Sequence, residues 1–165
     1  MNTCRFLLLA ALIWHLSSVH TAARASEVLL TITGSDSKIA KEGMIKLTRK
    51  DLEAMPQDSF TTNTIWTDGK QVFTGVRLSD LLDAVGAVGK ALKATAINNY
   101  SVEIPISDAV KDGPMIALTQ NGKAMSVRNK GPLWIVYPYD SKSLYQSEKI
   151  YSRSIWQLDR IELQR

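Results

Sequence analysis

The side chains able to do chemistry in this chain are carboxylates, amines, hydroxyls, amides and indoles. Its one cysteine, Cys4, and its two histidines, His15 and His20, fall within an amino-terminal stretch that reads as a leader. MNTCRF carries one basic residue, LLLAALIW is an uninterrupted apolar run, and HLSSVHTAARA is polar and small, ending Ala23-Arg24-Ala25. That order predicts a secretory signal peptide over residues 1–25, cleaved after Ala25. The apolar run is too short to span a membrane. What remains, residues 26–165, has neither thiol nor imidazole. That excludes disulfides, thiolate metal ligands, Cys or His nucleophiles and an imidazole base near neutral pH. Acid or base work by Asp, Glu, Lys or Tyr, and hard-cation binding by carboxylates, stay open.

One stretch has the composition of a site rim. Thr61–Lys70 reads TTNTIWTDGK, with small hydroxyls, the amide of Asn63 and the indole of Trp66, and no nucleophile before Lys70. Elsewhere, Asp80 and Asp83 lie on the polar face of an expected helix. No carboxylate pair has a spacing that suggests glycoside or metal chemistry. No glycine loop opens a helix as a phosphate cradle would.

The chain has 165 residues, 20 of them basic and 16 acidic. Arg5 and Arg24 belong to the leader, which has no acid, so the remainder is close to neutral. Such a balance gives no ground for nucleic-acid or membrane binding. A cysteine-free exported chain fits a bacterial periplasm. About 140 residues suit one domain with one core, and no linker or repeat divides residues 26–165.

Strands are expected over Val28–Thr33, Met44–Leu47, Ser59–Trp66, Gln71–Thr74, Ala94–Ile97, Tyr100–Ile104, Met115–Thr119 and Leu133–Tyr137. Gly34–Lys41 reads as a turn-rich segment. Thr48 should cap a helix with Asp51 in capping-box spacing and Pro56 beyond its end. Val76–Val85 is the clearest helix, with Leu78, Leu81, Leu82 and Val85 on one face and Gly86 as its stop. Ser107–Lys111 reads as one helical turn. Asp68-Gly69 and Asn121-Gly122 are hairpin signals. Ile155–Leu163 is amphipathic and suits a strand, or a short helix followed by one. The class is α+β, mainly β, with a mixed sheet and short helices in one domain.

Five segments, taken in order, are similar to those of the sulfite-oxidase-type molybdopterin-binding domain. They are FTGVRLSDLLDAVG at Phe73–Gly86, NYSVEIPI at Asn99–Ile106, IALTQNGK at Ile116–Lys123, KGPLWIVYP at Lys130–Pro138 and SRSIWQLDRIE at Ser152–Glu162. The resemblance implies that family's fold. It also sharpens one difference. Catalytic members hold molybdenum through a cysteine in a loop after the strand that corresponds to Ser59–Trp66, where this chain has TTNTIW. Threonine does not replace a soft thiolate, so bound molybdenum is not expected. Short, exported, cysteine-free relatives imply instead a periplasmic pterin-binding protein. Such a protein has a sensory role on an inner-membrane diguanylate cyclase or phosphodiesterase of cyclic di-GMP turnover, or on a sensor kinase. A molybdopterin-dependent oxidoreductase subunit and a ligand-free interaction module of the same fold are the alternatives.

A pterin is flat, with a π face and an edge of donors and acceptors. Trp66 is the first choice for the platform, and a strand-end core position suits it equally. Trp134 and Trp156 read as core. Asn63 offers an amide to the edge or serves a turn. Asn99 and Tyr100 open a strand that approaches the cofactor in the family, and Asn98-Asn99 also makes an ordinary turn. Arg128 and Lys130 form a short basic loop able to meet a polar edge or a phosphate. Tyr139 and Asp140 follow a buried strand, with Asp140 as a partner for ring N–H groups. Arg153 and Ser154 stand at the family's cofactor-contacting segment. No covalent cofactor is expected.

Overall fold

The computed structural model describes residues 27–34 and 43–165. The expected leader and most of the expected turn at Gly34–Lys41 lie outside these residues. Strands β1 (Val28–Thr33) and β2 (Met44–Thr48) pair antiparallel. Helix α1 (Arg49–Glu53) follows at once, because Thr48 closes the expected capping box. The Thr48 backbone N–H donates to Asp51 Oδ2 at 2.8 Å, and the Asp51 N–H donates back to Thr48 Oγ1 at 3.3 Å. Two orphan donors of the first turn are thereby satisfied.

Strands β3 (Asp58–Thr62) and β4 (Gln71–Arg77) form an antiparallel pair, and α2 (Leu78–Ala84) packs Leu78, Leu81 and Leu82 inward. The expected helix start at Val76 is corrected: Val76 and Arg77 remain on β4, opposite Ile116 and Met115. Gly86 ends the helix with φ +59°. Strands β5 (Ala91–Ala96), β6 (Ser101–Pro105), β7 (Met115–Gln120), β8 (Lys123–Ala124) and β9 (Trp134–Val136) come next. The expected turn near Ser107 is a short 3-10 segment at Ile106–Asp108. Helix α3 (Glu148–Arg153), which no periodicity announces, precedes β10 (Leu158–Gln164).

The strands form two sheets. The first has the order β2-β1-β10-β5-β6 and is mixed, since β1 and β10 run parallel. The second has the order β3-β4-β7-β8, with β9 also on β7, and is antiparallel throughout. The family-like glycines sit where chains approach closely. A Cβ on Gly75 would lie 2.1 Å from the Ile116 carbonyl, and one on Gly131 would lie 2.0 Å from that of Met125. Among the described residues no helix is long and apolar enough to cross a membrane.

The segment between α3 and β10 joins the two sheets. The Ile135 N–H donates to the Ile155 carbonyl at 2.9 Å, the Leu158 N–H to Leu133 at 3.0 Å and the Gln157 N–H to Lys130 at 3.0 Å. Trp134 and Trp156 form an isolated bridge there. This seam is where the candidate site lies.

Candidate functional site at the seam of the two sheets

The β3–β4 connection is longer than a tight hairpin. The expected strand Ser59–Trp66 stops at Thr62 because a distant segment takes over its hydrogen bonds. The Asp140 N–H donates to Thr62 Oγ1 at 3.0 Å, and both the Asn63 N–H and its side-chain amide donate to Asp140 Oδ2, at 2.9 and 2.8 Å. Past that anchor the chain turns. Thr64 and Thr67 share a hydroxyl–hydroxyl bond of 2.7 Å, and the Trp66 N–H donates to Thr64 Oγ1 at 3.1 Å.

This turn folds Trp66 back against the protein, half-buried. Its ring meets four others nearly edge to face. Trp134 lies at 5.9 Å between centroids, Tyr139 at 6.2 Å, Tyr151 at 5.9 Å and Trp156 at 5.5 Å, with interplanar angles from 64° to 84°. Such tilted pairs match the ring quadrupoles. Trp66 therefore packs on the core and also lines a cavity of about 410 Å³. The other lining residues are Ala96, Asn98, Tyr100, Tyr151, Ser152, Ser154, Ile155 and Trp156. None of them carries a formal charge. Trp134, fully buried as expected, keeps an indole N–H that has no hydrogen-bond acceptor.

The expected site residues divide among several places. Trp66, Tyr100 and Ser154 share the main cavity. Tyr100 is 57% exposed there, and Ser154 is buried. Asn99 is corrected: in the turn, where its φ is +66°, Asn98 and Tyr100 line this cavity and Asn99 lines a separate one of about 300 Å³. Its Oδ1 accepts from Arg160 at 2.7 Å. Asn63, Tyr139 and Asp140 line a smaller pocket of about 180 Å³. Asp140 is engaged by Asn63, so it serves the fold of the Trp66 turn and not the main cavity.

Arg153 is also corrected. Its Nη1 donates to Asp108 Oδ2 at 2.7 Å, and it lines a third cavity of about 380 Å³. The ion pair with Asp108 holds Arg153 at that cavity, while Ser154, the residue that ends the helix, lines the main one. Arg128 is exposed on the 3-10 turn Val127–Asn129. Lys130, with φ +65°, holds its ammonium 5.7 Å from the Trp134 ring centroid. This loop borders the site through Gln157, whose side-chain amide donates to the Val127 carbonyl at 2.8 Å.

Two aromatic lining residues, Tyr151 and Trp156, are not among the expected site residues. Trp156, expected in the core, is 36% exposed and forms a wall. The reason is Gln157, whose φ of +54° breaks the strand alternation that would have turned Trp156 inward. Tyr151 comes from α3, one turn before Ser154, and no sequence signal separated it from a surface tyrosine.

Behind the cavity two tyrosines are locked. The Tyr139 hydroxyl donates to Ser154 Oγ at 2.6 Å, and Ser154 passes its own proton to the Ile150 carbonyl at 2.9 Å. The Tyr137 hydroxyl donates to Asp108 Oδ2 at 2.8 Å. Burial pushes both phenols above their ordinary value of 10.0, and the Asp108 carboxylate pushes Tyr137 further. An unfolded tyrosine releases its proton near that value while the folded one holds it. Stability from these two groups is thus fully present below pH 10 and is lost as pH rises above it. The expected slope is about 1.4 kcal/mol per pH unit for each tyrosine. Urea unfolding between pH 9 and 11 checks this, with Tyr139→Phe reducing the slope.

Among the described residues no three His, Cys, Asp or Glu side chains gather as a metal would require. No curated protein is significantly similar to the chain in sequence. Residues 18–149 match the oxidoreductase molybdopterin binding domain. The two-sheet α+β fold, the glycines at close approaches and this match over most of its length make the chain a member of that family.

Proposed function

We propose that the chain binds a pterin or molybdopterin-like ligand without transforming it, and that this binding is sensory or regulatory. In this reading the protein reaches the periplasm after cleavage behind Ala25. There it acts on an inner-membrane enzyme of cyclic di-GMP turnover, a diguanylate cyclase or phosphodiesterase, or on a sensor kinase.

The observation that carries the reading is the uncharged aromatic lining at the sheet seam. The cavity, about 410 Å³, falls within the range of small-ligand sites. Trp66 and Trp156 offer indole surface to a flat ring. Asn98 offers the edge a donor, because its Oδ1 already accepts the Tyr100 N–H at 3.1 Å. Ser152 spends its proton on the Lys149 carbonyl, which leaves its oxygen as an acceptor, whereas Ser154 Oγ is engaged by both the Tyr139 hydroxyl and the Ile150 carbonyl.

The metal half of a molybdenum cofactor does not fit. The position of the thiolate loop is occupied by Thr61–Trp66, and the chain's only cysteine is Cys4. Hydroxyls and amides are poor ligands for a metal that this family holds by sulfur. Protein isolated from its own host should therefore carry a pterin-like chromophore and no stoichiometric molybdenum. One molybdenum per chain in metal analysis would overturn the reading.

A further inference from the structure

The cavity at the seam has a second property that a flat ligand alone does not use. Four of its lining side chains are aromatic, and the Trp66 ring stands steeply to two of the others. Trp66 stands at 84° to Tyr151 and 77° to Trp156, with centroids 5.9 and 5.5 Å away. Tyr100 closes a further side. The face of each ring is the negative end of its quadrupole, so a positive charge is favoured wherever those faces border the space.

The charged groups nearby are committed elsewhere. Arg153 is paired with Asp108, and Arg160 with Asp159 and Asn99. Lys149 lines the third cavity. Lys130 lies over Trp134, the buried ring behind Trp66 and Trp156. The aromatic cluster thus already holds one cation on its inner ring, and among the described residues no side-chain cation lines the outer space. The polar atoms of the lining add an oxygen acceptor from Ser152 and no carboxylate.

We infer that the corner formed by Trp66, Tyr151, Trp156 and Tyr100 is an aromatic cage for an organic cation of the N-alkylated ammonium class. The occupant is held by charge against ring faces and not by an ion pair, so a neutral molecule of the same shape binds less well. The inference shares its pocket with the pterin reading but does not require it.

The test compares choline with dimethylbutanol, its neutral isostere in which carbon replaces nitrogen. Each is titrated by calorimetry into the purified protein, with a reduced pterin in a parallel titration. Choline should bind about tenfold more tightly than the alcohol. Trp156→Ala and Tyr100→Ala, both at exposed positions that leave the core intact, should remove that preference. Equal affinity for the two probes, or no binding of choline, overturns the inference. Pterin binding beside such a result leaves the pterin reading standing. Choline preference without pterin binding sinks the pterin reading and keeps the cage.

Discussion

Replacing Trp66 with alanine should abolish ligand binding and lower folding stability by about 3 kcal/mol. The ring is the hub of the aromatic cluster, since Trp134, Tyr139, Tyr151 and Trp156 all contact it. Each tilted pair adds roughly 0.5–1.5 kcal/mol beyond area burial, and pairs that share one ring do not add fully. Half-burial keeps the cost at the lower end of that for tryptophan truncations. The β3–β4 turn would also lose the side chain that holds it against the seam, leaving only the threonine hydroxyls and the Asn63–Asp140 bonds. Urea unfolding followed by circular dichroism measures the stability loss. Trp66→Phe separates the two effects: it keeps a ring and most of the stability, yet narrows the platform and weakens binding. A Trp66→Ala protein of unchanged midpoint would show that the four ring contacts carry no energy.

Asp108→Ala should cost a similar amount, about 3 kcal/mol, through a different mechanism. One carboxylate oxygen accepts from both the Tyr137 hydroxyl and the Arg153 guanidinium. The Arg153 and Asp108 side chains are only 13% and 16% exposed, and Tyr137 is fully buried. Removing the acceptor strands a largely buried cation and a buried phenol together. Because Arg153 ends α3, the break also frees the helix that carries Tyr151 and leads into Ser154, so ligand affinity should fall several-fold. Pairing the change with Arg153→Met removes the stranded charge and should recover much of the stability. A loss below about 1 kcal/mol for Asp108→Ala would mean that water replaces the carboxylate without cost.

Local chemistry was readable where one residue type has one use. Thr48 and Asp51 form their capping box, Asn121-Gly122 turns with φ +51° and +73°, and Gly86 takes the left-handed stop. Buried runs such as Leu133–Tyr137 were readable for the same reason, since nothing else suits four large apolar residues in a row. Features that depend on distant partners were not. The strand expected through Trp66 ends at Thr62 because Asp140, far along the chain, captures Thr62 and Asn63. Helix α3 buries one residue, Ile150, and so leaves no periodic signature. The candidate site shows the same limit. Trp66 was found by its unusual neighbours, whereas Trp156 was hidden by an alternation that a single positive φ at Gln157 interrupts. Arg153 and Ser154 are neighbours in sequence, yet the distant Asp108 holds Arg153 at a different cavity from Ser154.

The absence of a thiolate from the TTNTIW loop and the aromatic walls beside it belong to one account, in which the fold keeps a place for a flat ring and gives up the metal. Titration of a reduced pterin into the purified protein, followed by tryptophan fluorescence, tests that account most directly. Trp66 and Trp156 line the cavity, so saturable quenching at one site is predicted, and Trp66→Ala should remove it. No quenching at high micromolar ligand, with the wild-type protein and Trp66→Ala indistinguishable, would contradict it.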